Sequence, residues 1–117
     1  MPHRVAGRRL GRSTDHRVHM LRNLAVAVLR YEKVRTTEAK AKEVRGMIDN
    51  LITTAKRGNL SARRSLVAEM PHEPLMVDKL MGELSAKYAE RSSGFTRTVK
   101  IGPRLGDAAE IVQIELV

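Results

Sequence analysis

Apolar residues recur at helical spacing in three long stretches, mark a fourth shorter one, and alternate with polar residues in two more. Over residues 14–31, Leu21, Leu24, Ala25, Val28 and Leu29 lie three or four positions apart, which predicts a helix with one buried stripe. Ser13 or Thr14 can cap it, and Asp15 suits the positive end of its dipole. Arg17, Arg22 and Asn23 fall off the stripe. A second helix is predicted from a cap at Thr36 or Thr37 to about Arg57, on Val44, Met47, Ile48, Leu51, Ile52 and Ala55. Lys56 and Arg57 suit its C-terminus, and Gly58 the left-handed residue that ends it. A shorter helix over 60–69 carries Leu60, Arg63, Arg64 and Val67, and Pro71 stops it. Pro74 sits in the first turn of a fourth helix, with a stripe of Val77, Leu80, Met81, Leu84 and Tyr88. Lys79, Glu83 and Lys87 alternate in sign four residues apart, which predicts a solvated, self-paired face and a supporting role.

The remaining apolar positions follow strand periods. Lys33 to Thr36 is short and β-prone, an edge strand. From Phe95 to Ile101 the chain alternates: Phe95, Val99 and Ile101 share one face with Arg97 as the exception, and Thr96, Thr98 and Lys100 share the other. A turn-rich stretch, 102–107, leads into the β-prone run Ile111 to Val117, so an antiparallel hairpin with a basic loop carrying Arg104 is expected. These elements predict an α+β fold, with about four helices packed on a small two- to three-stranded sheet. Residues 13–117 form one domain, and residues 1–12 precede it as an extended basic arm with too few apolar groups to fold.

Charge changes this picture more than any other property. The chain of 117 residues carries a net +9, and the excess is not spread evenly. Residues 1–35 hold nine Arg or Lys against two acids, whereas residues 36–117 hold 13 against 11. A solvated surface mixes its signs, while a concentrated basic segment is the footprint of a polyanion. Nucleic acid is the first partner class this implies, ahead of acidic membrane surfaces and acidic proteins. Arginine forks match phosphate oxygens and stack on bases, and Arg4, Arg8, Arg9, Arg12, Arg17 and Arg22 place them in the arm and on the first helix. His16 lies among them as a hydrogen-bond donor to phosphate. Arg97, Lys100 and Arg104 form a second basic set on the hairpin. Only three aromatic residues are present, too few for platforms that stack single-stranded bases.

Other chemistries find little support. Without cysteine, thiolate metal sites and cysteine catalysis are excluded. His3, His16 and His19 have no acid nearby except Asp15, which arginines surround, so no metal is expected. Neither a phosphate-cradling glycine loop nor a nucleophile elbow occurs, and helical acids such as Glu38, Glu43 and Asp49 have bases three or four residues away, as structural ion pairs do. No cofactor, small-molecule substrate or enzymatic activity is expected. No stretch approaches the ~18 apolar residues that span a membrane.

Three stretches taken together resemble the bacterial large-subunit ribosomal protein L17 family. The first is His3-Arg4, Gly7-Arg8, Leu10, Arg12, His16-Arg17 and Arg22-Asn23. The second is Thr36-Thr37, Lys40-Ala41-Lys42-Glu43 and Arg45. The third is Gly94-Phe95-Thr96-Arg97, Lys100, Arg104, Gly106-Asp107-Ala108 and Ile114-Glu115-Leu116-Val117. Phe95 stands where a tyrosine is more usual, and Pro2 where an arginine is. The resemblance implies a non-enzymatic constituent of the large ribosomal subunit, ribosome-associated in the cytoplasm, that binds large-subunit ribosomal RNA beside neighbouring large-subunit proteins. Its competitor is a DNA-binding architectural protein, which would show insertion wedges or a recognition helix with a dimer interface. A protein-interaction adaptor acting through the fourth helix is the third class.

Overall fold

In the computed structural model, backbone is described for residues 14–117 and side chains from His16 onward. The arm, with Arg4, Arg8, Arg9 and Arg12, and the expected cap at Ser13 or Thr14 lie outside these side chains.

Four helices lie against one face of a three-stranded sheet. Helix α1 (Thr14–Tyr31) buries Leu21, Ala25, Val28 and Leu29, as its stripe predicts. Strand β1 (Lys33–Thr37) leads directly into α2 (Glu38–Lys56). Thr37 occupies the N-cap position in an extended conformation, although its hydroxyl makes no capping bond. Helix α2 is the centre of the fold, touching α1, α3, α4 and all three strands. Ala41, Val44, Ile48, Leu51, Ile52 and Ala55 are buried along it. Gly58 ends the helix at φ +68, a conformation with no steric cost for glycine. Asn59 then caps α3 (Leu60–Glu69) by accepting from the Ala62 N–H at 2.8 Å.

Helix α4 runs over 74–87 with one wide turn inside it. Pro74–Lys79 and Ser85–Lys87 are α-helical, and Leu80–Leu84 between them is π-wound, with the Ser85 N–H reaching back to the Leu80 carbonyl. The wide turn keeps both Leu80 and Leu84 on the core side. Tyr88 follows, buried against fully buried Phe95 with ring centroids 5.2 Å apart, and its hydroxyl donates to the Val117 carbonyl at 2.8 Å. A tyrosine at 95 would bring a second hydroxyl into this buried cluster.

Strands β2 (Thr96–Pro103) and β3 (Glu110–Leu116) form the expected antiparallel hairpin, and β1 pairs antiparallel on the other side of β3. The C-terminal strand is therefore central. Its alternation is clean, with Val112, Ile114 and Leu116 buried.

Three local expectations are corrected. Register sets Thr96, Thr98 and Lys100 opposite Leu116, Ile114 and Val112, so the helix-facing side of β2 is the polar one. Val99 and Ile101 remain about half exposed, and a bulge between Lys100 and Gly102 takes Ile101 out of the ladder. On α3 the core contacts are Ala62 and Leu66, while Leu60, Arg63, Arg64 and Val67 are all exposed. The third correction concerns α4. Lys79 and Lys87 do not pair with Glu83; both reach Glu32 at 3.4 Å.

Candidate nucleic-acid interface

Glu32 explains where several cations go. It follows the last turn of α1 in the left-handed region, φ 66, and its N–H donates to the Val28 carbonyl at 2.7 Å. The last carbonyls of a helix lack internal partners. Lys79 supplies one, with its Nζ 2.6 Å from the Leu29 carbonyl and 3.3 Å from that of Arg30. Burial alone pushes Glu32 up, but the Lys79 and Lys87 ammonium groups outweigh it and hold the carboxyl below its ordinary value. Two further pairs bind α1 to the α3–α4 connection: Arg22 to Glu69 at 3.3 Å and Arg30 to Glu73 at 3.0 Å. Arg63 joins α3 to α4 through Asp78 at 2.7 Å. These cations are structural ties between helices.

The outward side of α1 has a different character. His16, His19 and Asn23 are exposed along it, and Arg17 and Arg22 are half-buried on its flanks. Beside them a groove of about 170 Å³ runs between α1 and the turn after α3, lined by His19, Arg22, Asn23, Val26, Met70 and His72 among others. Of the expected RNA contacts, His16, Arg17 and Arg22 are thus brought together on one helix, with the arm leading into it.

The hairpin divides its expected contacts. Arg97 is on the open face of the sheet, 3.3 Å from Glu115. Lys100 is exposed but on the opposite side of the strand. At the tip, Arg104 Nε donates to Asp107 Oδ1 at 3.1 Å, and the Ala109 N–H donates to the same oxygen at 3.2 Å. Hydrogen bonds from Arg104 and the Ala109 amide hold Asp107 down to about 2. Arg104 is therefore half spent on its own loop, which leaves it a weaker phosphate ligand than its charge suggests.

Sequence reasoning missed Lys33 and Arg35. Both are exposed, and neither meets an acid among the described residues. The signal was present, since they flank Val34 at strand spacing, but only cross-strand register shows that they share a face with Arg97. Also unforeseen is Asp49, half-buried on α2. Burial raises its pKa against the pull of the Arg45 guanidinium, and its Oδ1 has no hydrogen-bond partner among the described residues.

The family model described as ribosomal protein L17 matches residues 20–117. The chain belongs to the ribosomal protein L17 family. A Desulfitobacterium hafniense protein named large ribosomal subunit protein bL17 is 51% identical over 113 residues, covering 97% of this chain and all of that protein. Its Orientia tsutsugamushi counterpart, with the same name, is 48% identical over 117 residues, covering this whole chain and 80% of the relative. One from Clostridium botulinum, also so named, is 50% identical over 110 residues, 94% of this chain and 96% of the relative. The family match begins after the arm, whereas the similarity to the Orientia relative spans the whole chain, arm included. No helix among the described residues is long and apolar enough to cross a membrane.

Proposed function

We propose that this chain is a structural constituent of the large ribosomal subunit and binds large-subunit ribosomal RNA through its basic arm and first helix. Similarity at 48–51% identity, over nearly the whole chain, to proteins named for the large subunit carries the reading. The charge distribution supplies the mechanism. Arg4, Arg8, Arg9 and Arg12 in the arm, continued by His16, Arg17 and Arg22 on α1, neutralise phosphates where RNA strands crowd and release their counterions. Arg97, Lys100 and Arg104 add contacts from the hairpin; Lys100, exposed and without an acid partner among the described residues, outranks the two paired arginines in this role. The deep A-form groove is closed to side chains, so recognition is of RNA shape, 2′-hydroxyls and junction geometry. The role is assembly and support of the subunit beside neighbouring large-subunit proteins, with no catalytic step, in the cytoplasm where ribosomes work.

A filter-binding competition at near-physiological salt tests this, with a folded large-subunit RNA fragment against duplex DNA of equal nucleotide count. The RNA is expected to win by at least about tenfold, or ~1.4 kcal/mol. Charge reversal at Arg8 and Arg12 is expected to erase most of that margin. Equal competition by the DNA would favour an architectural DNA-binding protein instead.

A further inference from the structure

Among the described residues, the helices cover one face of the sheet and leave the other open. Register fixes what lies on the open face. Lys33 opposes Glu115, which opposes Arg97, in one row; Arg35 opposes Gln113, which opposes Val99, in the next. Directly opposed residues share a face, and the buried side chains Val112, Ile114 and Leu116 occupy the other one. This end of the open face therefore carries three cations and one carboxylate. Glu115 is engaged by Arg97 at 3.3 Å and by the Gln113 side-chain amide at 3.4 Å, and its own side chain is only 17% exposed. Lys33 and Arg35 are left with no ion pair or side-chain hydrogen bond among the described residues.

Such an arrangement contrasts with the seam between α1, α3 and α4, where each cation named above meets an acid. Adjacent strands are ~4.8 Å apart and alternate residues on one strand are ~6.7 Å apart, so the three cations form a triangle with sides of roughly 7 to 12 Å. That spacing suits several phosphates of one RNA strand. Protein interface cores are depleted in charge, which sets this end of the sheet apart from a protein-docking surface. Its position matters as much as its charge. Helix α1 packs on the buried side of the sheet, so the outward stripe of α1 and the open sheet face lie on opposite sides of the core.

We propose that the open sheet face, through Lys33, Arg35 and Arg97, binds the phosphate backbone of a second RNA segment, so that the chain bridges two segments. The proposal rests on the RNA-binding reading above. It makes the protein a clamp whose two cationic surfaces hold RNA elements together across its hydrophobic core.

The test uses the full chain, one immobilised large-subunit RNA fragment and a second, labelled fragment with no complementarity to the first. Wild type is expected to retain the labelled fragment. Lys33→Gln/Arg35→Gln should bind a single fragment within about threefold of wild type yet retain the second at least about tenfold less, because only one of two phosphate surfaces is weakened. Lys33→Arg alone should restore nothing lost elsewhere and bridge as wild type does. Circular dichroism melting confirms that the glutamine variant is folded. Failure of wild type to bridge, or full bridging by the glutamine variant, overturns the proposal. Full bridging combined with loss of co-sedimentation with the large subunit would assign the face to a protein neighbour instead. Arg8→Glu/Arg12→Glu separates the two claims: normal single-fragment binding by that variant sinks the arm reading while leaving the sheet result intact.

Discussion

Two regions use the same residue types for opposite ends. In the seam between α1, α3 and α4, Arg22, Arg30, Arg63, Lys79 and Lys87 each meet a carboxylate, and Lys79 also caps two helix carbonyls. On the open sheet face, Lys33 and Arg35 have no such partner among the described residues, and Arg97 pairs with Glu115. The lesson is that net charge does not locate a polyanion site. The local supply of acids does. Where acids keep pace with bases, the cations hold the fold; where they fall behind, the field is left for a ligand.

Changes that strike the common core set the scale for this comparison. Ile52 is fully buried on α2, between the helices and the sheet. Ile52→Ala should cost about 2–5 kcal/mol in chemical denaturation. A cost near zero would mean that the two regions do not share one core.

Lys79→Ala sharpens the comparison from the seam side. Its side chain is only 15% exposed, and its removal leaves the part-buried Leu29 carbonyl without a donor. Stability should fall by about 1–3 kcal/mol with RNA affinity unchanged. Lower affinity at unchanged stability would turn this cation into a binding residue. Arg63→Ala, by contrast, removes a half-exposed ion pair and should cost under about 1 kcal/mol. A larger loss would show that the α3–α4 contact depends on this pair more than on Ala62 and Leu66.

The smallest effect concerns the hairpin tip. Asp107 titrates at about 2 in the folded chain against an ordinary 3.8. A depressed acid contributes order that is present above pH 3.8 and is lost as pH falls through about 2. The Ala109 amide, held by Asp107 Oδ1, should therefore shift in NMR spectra across that window while core amides stay put. Simultaneous movement of both would signal global acid unfolding instead.

Much of this was legible in the sequence, for identifiable reasons. The stripes on α1, α2 and α4 are long and regular enough that period alone names most of their buried residues, though Leu24, Met47 and Met81 are only partly buried and Ala41 and Met76 join the core. Gly58 and Pro74 punctuate the chain through backbone chemistry, which does not depend on tertiary context. The faces of β2 were not legible, because Val99 and Ile101 are turned outward by pairing with β3, and strand register is a long-range property. Lys79 was misread for a similar reason. Spacing offered Glu83 and Lys87 as neighbours, but the end of α1, nearly fifty residues away in sequence, offered bare carbonyls and Glu32. As for the candidate site, the basic arm and α1 stood out by charge density, whereas Lys33 and Arg35 became visible only when β3 placed them beside Arg97.

The central claim is that cations of the arm and the outward side of α1 bind RNA, whereas Arg63, Lys79 and Lys87 of the helical seam do not. Salt dependence of binding to a folded large-subunit RNA fragment tests it most directly. Arg8→Ala/Arg12→Ala should flatten the log–log slope by about 1.4–1.8, since each lost phosphate contact removes roughly 0.7–0.9. Arg63→Ala/Lys87→Ala should leave the slope where wild type has it. An unchanged slope in the arm variant, or an equal loss in the seam variant, would contradict the account.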